Sequence, residues 1–317
     1  MSFPPFDDSR RAFLRGIASD TLNALQNGHF IHRGTRYDLS RQIQASERNT
    51  RYYSPDSSSV SNWQSASRSH HATPAEISIL QISTLECARL LKNIHDNNPS
   101  DRGRIGVLNF ASATKPGGGF INGAQAQEES IARASTLYPT LVTHTAQRFY
   151  DLHARDSKHG YYSHSMIYSP GVVIFRNDDG GWIQPYEVDV LTSAAVNAGD
   201  VRKSASGRFF SGVENQIEKE MRERMARLLF LFEKEGTRDI VLGSFGTGVF
   251  RNDVPVVAKI WADLLAVPGA RFGKSFSRVM FAITGGQTFS AFETAFKART
   301  QGGGGQAKVS RRNSSLM

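Results

Sequence analysis

KPGGGFINGAQAQEES, residues 115–130, combines the residue types needed for acid–base chemistry beside a bound anion. Gly117, Gly118 and Gly119 lack Cβ atoms, so their backbone N–H groups can come close to a phosphate or a ribose. Seven residues separate them from Gln127, Glu128 and Glu129, which lead into IARASTLYPTL, a stretch able to begin a helix. Consecutive helical residues point about 100° apart, so the two glutamates face different surroundings. They are not the usual glycosidase pair: such carboxylates stand about 5–9.5 Å apart across the scissile bond, whereas consecutive Cα atoms lie about 3.8 Å apart on one side. One glutamate carrying out both proton transfers fits this spacing. A charged first helical turn that complements the helix dipole fits it as well.

A second glycine-rich stretch, GSFGTGVFRNDVP, follows the apolar run Asp239 to Leu242 and precedes a helix through Pro255, Ile260 and Leu264. Gly246, Thr247, Gly248, Val249 and Phe250 would therefore bring N–H groups toward a helix N-terminus, an arrangement suited to anions. Neither loop ends in the Lys-Ser or Lys-Thr of an NTP-hydrolysing phosphate loop, and GSFGTG does not have the spacing of a dinucleotide fingerprint. Taken singly, each loop could simply reverse the chain.

The elements that must position these loops show as an alternation. From about residue 76 to 299, short β-rich runs (ISILQIS, RIGVLNFA, SMIYS, GVVIF, YEVDVLTSAA, RDIVLGSF, RVMFAIT) alternate with amphipathic segments, a pattern of layered α/β folds. Ligands of such folds bind at the carboxyl ends of the strands, where both glycine loops fall. The clearest helix runs from residue 214 to 235, with Ile217, Met221, Met225, Leu228 and Phe232 on one stripe, Glu218–Arg222 and Glu220–Arg224 as i,i+4 pairs, and Gly236 at the cap. An N-terminal helix is expected between Asp7 and Gly28, followed by a Ser/Asn-rich loop that includes His70 and His71, which have no partner at metal spacing. The chain thus divides into an N-terminal, mainly helical extension (1–75) packed on the core, a catalytic unit (76–300) and a flexible basic tail (301–317).

The 317 residues carry 39% hydrophobic and 21% charged side chains and no apolar stretch of membrane-spanning length. The N-terminus has charges where a signal peptide needs an apolar run, and the single Cys87 cannot form an internal disulfide, so intracellular residence, cytoplasmic or nuclear, is expected. Cys87 reads as a buried helix residue. Of the formal net charge of +9, five charges lie after residue 296 (Lys297, Arg299, Lys308, Arg311, Arg312), leaving a body of about +4, suited to an anionic ligand. A nucleic-acid binder is disfavoured because Phe245, Phe250 and Tyr138 are scattered rather than arrayed as a stacking strip.

GGG, a seven-residue gap and QEE, together with NFASATKPGGGF, LYP, YSPGVVIFRNDDG, VLTSAAVNAG and LGSFGTGVFRND in that order, resemble the microbial-type poly(ADP-ribose) glycohydrolases over roughly residues 77–300. Ser244 and Thr247 depart from the Ala and Cys common in that family. The resemblance implies a macrodomain-like three-layer α/β/α fold with a mixed central sheet, and hydrolysis of the ribose–ribose O-glycosidic bonds of poly(ADP-ribose). It implies Glu129 as the catalytic acid; because a helix N-terminus favours the ionised carboxylate, burial beside Phe120 and the substrate's diphosphate would have to oppose it. Glu128 would orient ribose hydroxyls, Gln127 would support the loop, and Asn109 would lie near the distal ribose or satisfy a strand end. Gly117, Gly118 and Gly119 would line the ribose and diphosphate, and the 246–250 loop would bind the diphosphate with Phe250 against sugar. It also implies poly(ADP-ribose), ADP-ribose and ADP-ribosylated proteins as partners of a monomer, with no metal, cofactor or specific nucleic acid. Two alternatives stay open: a non-catalytic ADP-ribose reader, and a hydrolase of mono-ADP-ribosyl or acyl-ADP-ribose derivatives. The histidines His144, His153 and His164 and the Asp178–Asp179 turn read as structural.

Overall fold

The computed structural model describes residues 8–67, 73–101, 103–205 and 212–302. The N-terminal part holds α1 (Asp8–Asn27), a hairpin of β1 (His29–His32) and β2 (Thr35–Asp38), α2 (Ser40–Asn49), β3 (Arg51–Tyr53) and α3 (Ser58–Ser61). There follow β4 (Glu76–Leu80), α4 (Thr84–Asn97), β5 (Arg104–Phe110), α5 (Gln127–Ala134), α6 (Leu137–Leu141) and α7 (His144–Arg155). The chain continues through β6 (Met166–Arg176), β7 (Trp182–Ser193), α8 (Ala198–Ala205), α9 (Val213–Lys234), β8 (Thr237–Leu242), α10 (Val254–Leu265), β9 (Arg278–Ala282) and α11 (Gly286–Gln301).

Seven strands form one mixed sheet in the order β3-β6-β7-β5-β8-β9-β4. β7, β5, β8, β9 and β4 run parallel, while β6 is antiparallel to both β7 and β3. Period-two alternation divides the strand side chains between two cores. Leu108, Leu191, Ile240, Leu242, Val279 and Phe281 pack toward α9, α10 and α11, whereas Ile105, Val107, Val190, Val241 and Met280 pack toward α4, α5 and α7. The result is the three-layer α/β/α arrangement with a mixed sheet that the resemblance implies. Among the described residues no helix is long and apolar enough to cross a membrane.

Four local features differ from the sequence reading or add to it. SMIYS and GVVIF form a single strand, because Pro170 and Gly171 (φ +67°) make a bulge at which the pairing with β7 shifts register. The N-terminal part is not only helical: β1 and β2 pair with each other, and β3 joins the main sheet edge, a segment too short to show periodicity in sequence. In α9, Glu218 and Arg222 pair as expected at 3.2 Å, but Arg224 turns inward. It is fully buried and donates to the carbonyl oxygens of Ala194 and Tyr161, while Glu220 takes His164 at 3.2 Å instead. Two carbonyls that would otherwise be buried without donors draw the guanidinium in. Lastly, Lys297 and Arg299 lie in α11, ion-paired with Glu293 and Asp263 at 2.6 Å each, so they belong to the folded body and not to a tail. Lys308, Arg311, Arg312, His70 and His71 lie outside the described residues. Cys87 is buried in α4, where desolvation pushes its thiol up to about 12, the behaviour of an unreactive core cysteine.

Candidate active site

Because β5 lies between β7 and β8 and runs parallel to both, the loops leaving β5 and β8 emerge side by side at the carboxyl edge of the sheet. The rings of Phe110 and Phe245 join them, with centroids 5.5 Å apart. Both glycine loops thus leave the sheet side by side although about 130 residues separate them.

The first turn of α5 is held against the end of β5 by side chains. Gln127 accepts from the Phe110 N–H at 2.8 Å and donates to the Leu108 carbonyl at 2.7 Å, mimicking a neighbouring strand. This fixes where the next two side chains point. Glu128, 2% exposed, turns under the loop: it accepts from the Ser112 N–H at 2.7 Å, from Asn109 Nδ2 at 3.3 Å and from the Gly117 N–H. Glu129, 9% exposed, is less deeply buried, with its Oε1 accepting from the Gly119 N–H at 3.0 Å. Among the described residues no hydrogen bond engages its second oxygen.

The glycines have steric reasons. Gly117 and Gly118 have φ of +68° and +61°, and a Cβ on Gly118 would lie 2.9 Å from the Glu129 Cδ and 3.2 Å from the Glu128 Oε2. A Cβ on Gly119 would lie 2.8 Å from that of Ala124. Their N–H groups are committed within the protein: Gly117 to Glu128, Gly118 to the Lys115 carbonyl at 2.9 Å and Gly119 to Glu129. In this structure the triple glycine therefore cradles the two carboxylates.

Burial pushes the Glu128 carboxyl up to about 8, helped by the neighbouring Glu129 charge and opposed by the donors from Ser112, Asn109 and Gly117. Adjacent helical positions diverge enough to bury Glu128 more deeply than its neighbour Glu129.

Asn109 alternates onto the α5 face of β5 and is fully buried, bridging Glu128 and the Thr192 hydroxyl at 3.2 Å. It supports a glutamate from below. In the second loop Gly246 has φ +74°, and a Cβ there would lie 2.7 Å from Asn252 Nδ2, which donates to the carbonyls of Gly246 and Val196 and so closes the loop. The Thr247 hydroxyl donates to the Ser244 carbonyl at 2.9 Å, a bond internal to the turn. No hydrogen bond among the described residues engages the N–H groups of Gly246, Gly248, Val249 or Phe250. Val249 projects into solvent, 81% exposed, and Phe250 is half-buried with its ring 5.9 Å from that of Tyr162. The helix that follows has its own cap, since Asp253 accepts from the Val256 N–H at 2.9 Å. Ser112, Thr192 and Asn252, which sequence reasoning did not single out, form the supports of both loops.

The model of the microbial-type PARG catalytic domain matches residues 18–177, from within α1 to the end of β6. A solved poly(ADP-ribose) glycohydrolase from Thermomonospora curvata is 34% identical, with TM-score 0.78 over 92% of this chain and 100% of that one. The chain belongs to the microbial-type PARG family. The family match spans the GGG-to-QEE loop just described and begins 59 residues before the residue-77 start assigned from sequence. The Thermomonospora curvata enzyme bound to the inhibitor ADP-HPD is likewise similar (34% identity, TM-score 0.76, 92% of this chain, 100% of that one). The PARG of Deinococcus radiodurans in complex with ADP-ribose is 31% identical with TM-score 0.68 over 81% of this chain and 97% of that one. None of the curated proteins compared with the chain matches it.

Proposed function

We infer that this chain is a poly(ADP-ribose) glycohydrolase in which Glu129 serves as both general acid and general base. The observation that carries the assignment is the position of Glu129: one carboxyl oxygen is pinned by the Gly119 N–H and the other is left for a reacting group, at the sheet edge from which both glycine loops leave. In the first half of the reaction the Glu129 proton passes to the departing 2′-oxygen as the bond to the anomeric carbon breaks. A water then attacks the oxocarbenium-like carbon and returns its proton to Glu129, so one water is consumed and the carboxyl is restored. Glu128 and Glu129 flank the same glycine from one side, which supports a mechanism with a single glutamate over one with carboxylates on opposite faces of the sugar.

Glu128, held by Ser112, Asn109 and Gly117, would orient ribose hydroxyls, with Gln127 and Asn109 as its supports. The N–H groups of the 246–250 loop would receive the diphosphate, with Phe250 against the sugar. Residues 76–300 would form the catalytic unit, with residues 1–75 packed on it. The reading extends to a monomeric intracellular enzyme acting on polymer carried by ADP-ribosylated proteins.

Incubation with purified poly(ADP-ribose), resolving free ADP-ribose from oligomers over time, tests this reading. Release of ADP-ribose is expected. Tight ADP-ribose binding without release would make the chain a reader, and release only from mono-ADP-ribosylated protein would make it a hydrolase of single adducts.

A further inference from the structure

The glycohydrolase reading accounts for the bond that is cut and for one diphosphate, but a polymer continues past the cut, with two phosphates and an adenine in each further unit. RRAFLR, residues 10–15, places three arginines on the first turns of α1. The inner face of α1, with Leu14, Ile17 and Ala18, is buried, and Ala18 packs with Phe120 and Ala132 of the catalytic loop and α5. The contact with the loop is close: Gly123 has φ +75°, and a Cβ there would strike the Arg11 carbonyl and lie 3.1 Å from the Arg15 Cγ. Gly123 is four residues past Gly119, which holds Glu129. Arg11 and Arg15, both exposed, thus flank the catalytic loop one helical turn apart.

Around the helix, the Arg10 guanidinium lies 5.4 Å from the centroid of the Phe13 ring. Phe13 is 50% exposed and Ile121, in the catalytic loop itself, 46%. Cations beside exposed apolar side chains are the combination that single-stranded polyanions with bases select, through phosphate contacts and stacking. In that reading the 246–250 loop, after β8, serves the unit being released, while α1 packs on α5 and on the loop that holds Glu129.

We propose that the arginine-bearing side of α1 holds the polymer on the departing side of the cleaved bond. This rests on the glycohydrolase reading and adds to it a second contact region for the same substrate. Arg11→Gln/Arg15→Gln should lose activity on long polymer at least tenfold more than on a two-unit fragment, which does not reach far beyond the cut. Two lost phosphate contacts, at a salt slope of about 0.7 each, mean that between 50 and 200 mM salt the wild-type kcat/KM on long polymer falls about sevenfold more than that of the double variant. Arg11→Lys/Arg15→Lys should restore the wild-type salt dependence. Equal losses on both substrates, or an unchanged salt slope in a folded and active double variant, would overturn the proposal while leaving the catalytic reading intact. A wild-type protein that released nothing from polymer would overturn both.

Discussion

Replacing Gly118 with alanine separates what the triple glycine does for Glu129 from what it does for the fold. The residue has φ +61°, where an L side chain costs about 1–2 kcal/mol. That strain alone lowers stability without abolishing folding. The new Cβ would lie 2.9 Å from the Glu129 Cδ, closer still to Oε1, and 3.2 Å from the Glu128 Oε2. The Glu129 carboxyl must retreat by about 1 Å, and displacements of that size at a reacting group cost about 100-fold in rate. Initial rates of ADP-ribose release at saturating polymer, with melting temperature as a check on folding, measure both effects. The expected outcome is a folded Gly118→Ala protein with kcat down about 100-fold and ADP-ribose affinity changed far less. A folded variant within about threefold of wild type would refute the view that the glycine exists to admit the glutamates.

Further outcomes follow from the same geometry. The Glu128 carboxyl, raised by burial to about 8 from an ordinary 4.5, keeps its proton in the fold to higher pH than in the unfolded chain. The stabilisation is therefore full below about 4.5 and lost as pH rises through about 8, with a slope of up to about 1.4 kcal/mol per pH unit. Glu128→Gln, which cannot ionise, should melt with a flatter pH dependence between pH 5 and 8; parallel wild-type and variant curves would contradict the burial argument. Gly246→Ala, with φ +74° and a Cβ 2.7 Å from Asn252 Nδ2, should weaken ADP-ribose binding by about tenfold or more in calorimetric titration, and an unchanged affinity would remove the 246–250 loop from the site. Gly16→Ala, in the exposed middle of α1 with no atom within 4 Å of the new Cβ, should raise stability by about 0.5–1 kcal/mol, measured as a higher melting temperature.

Local chemistry was legible in the sequence; long-range pairing was not. α1 and α9 follow from apolar spacing and flanking glycines, and α5 from the acidic turn that opens it. Both glycine loops were found because they follow β-rich runs. Their meeting could not be read, since it depends on the strand order β7-β5-β8, which pairs segments distant in the chain. Short strands such as β3 and the β1–β2 hairpin carry too few residues to show a period. Pro170 and Gly171 look like a strand end but form a bulge within β6. Arg224 illustrates a different limit: its i−4 partner was visible, but the two buried carbonyls that claim it were not. The same limit hid the use of the glycine amides. Sequence shows that an N–H can approach something closely, and only the fold shows that the Gly119 N–H holds a glutamate.

The most direct test compares wild type with Glu129→Gln on purified poly(ADP-ribose), with ADP-ribose affinity measured in parallel. Removing a general acid and base costs about 10²–10⁴-fold. Loss of release by at least about 100-fold with retained ADP-ribose binding is the predicted result. A Glu129→Gln protein that releases ADP-ribose within about threefold of wild type would contradict the assignment of proton transfer to this carboxyl.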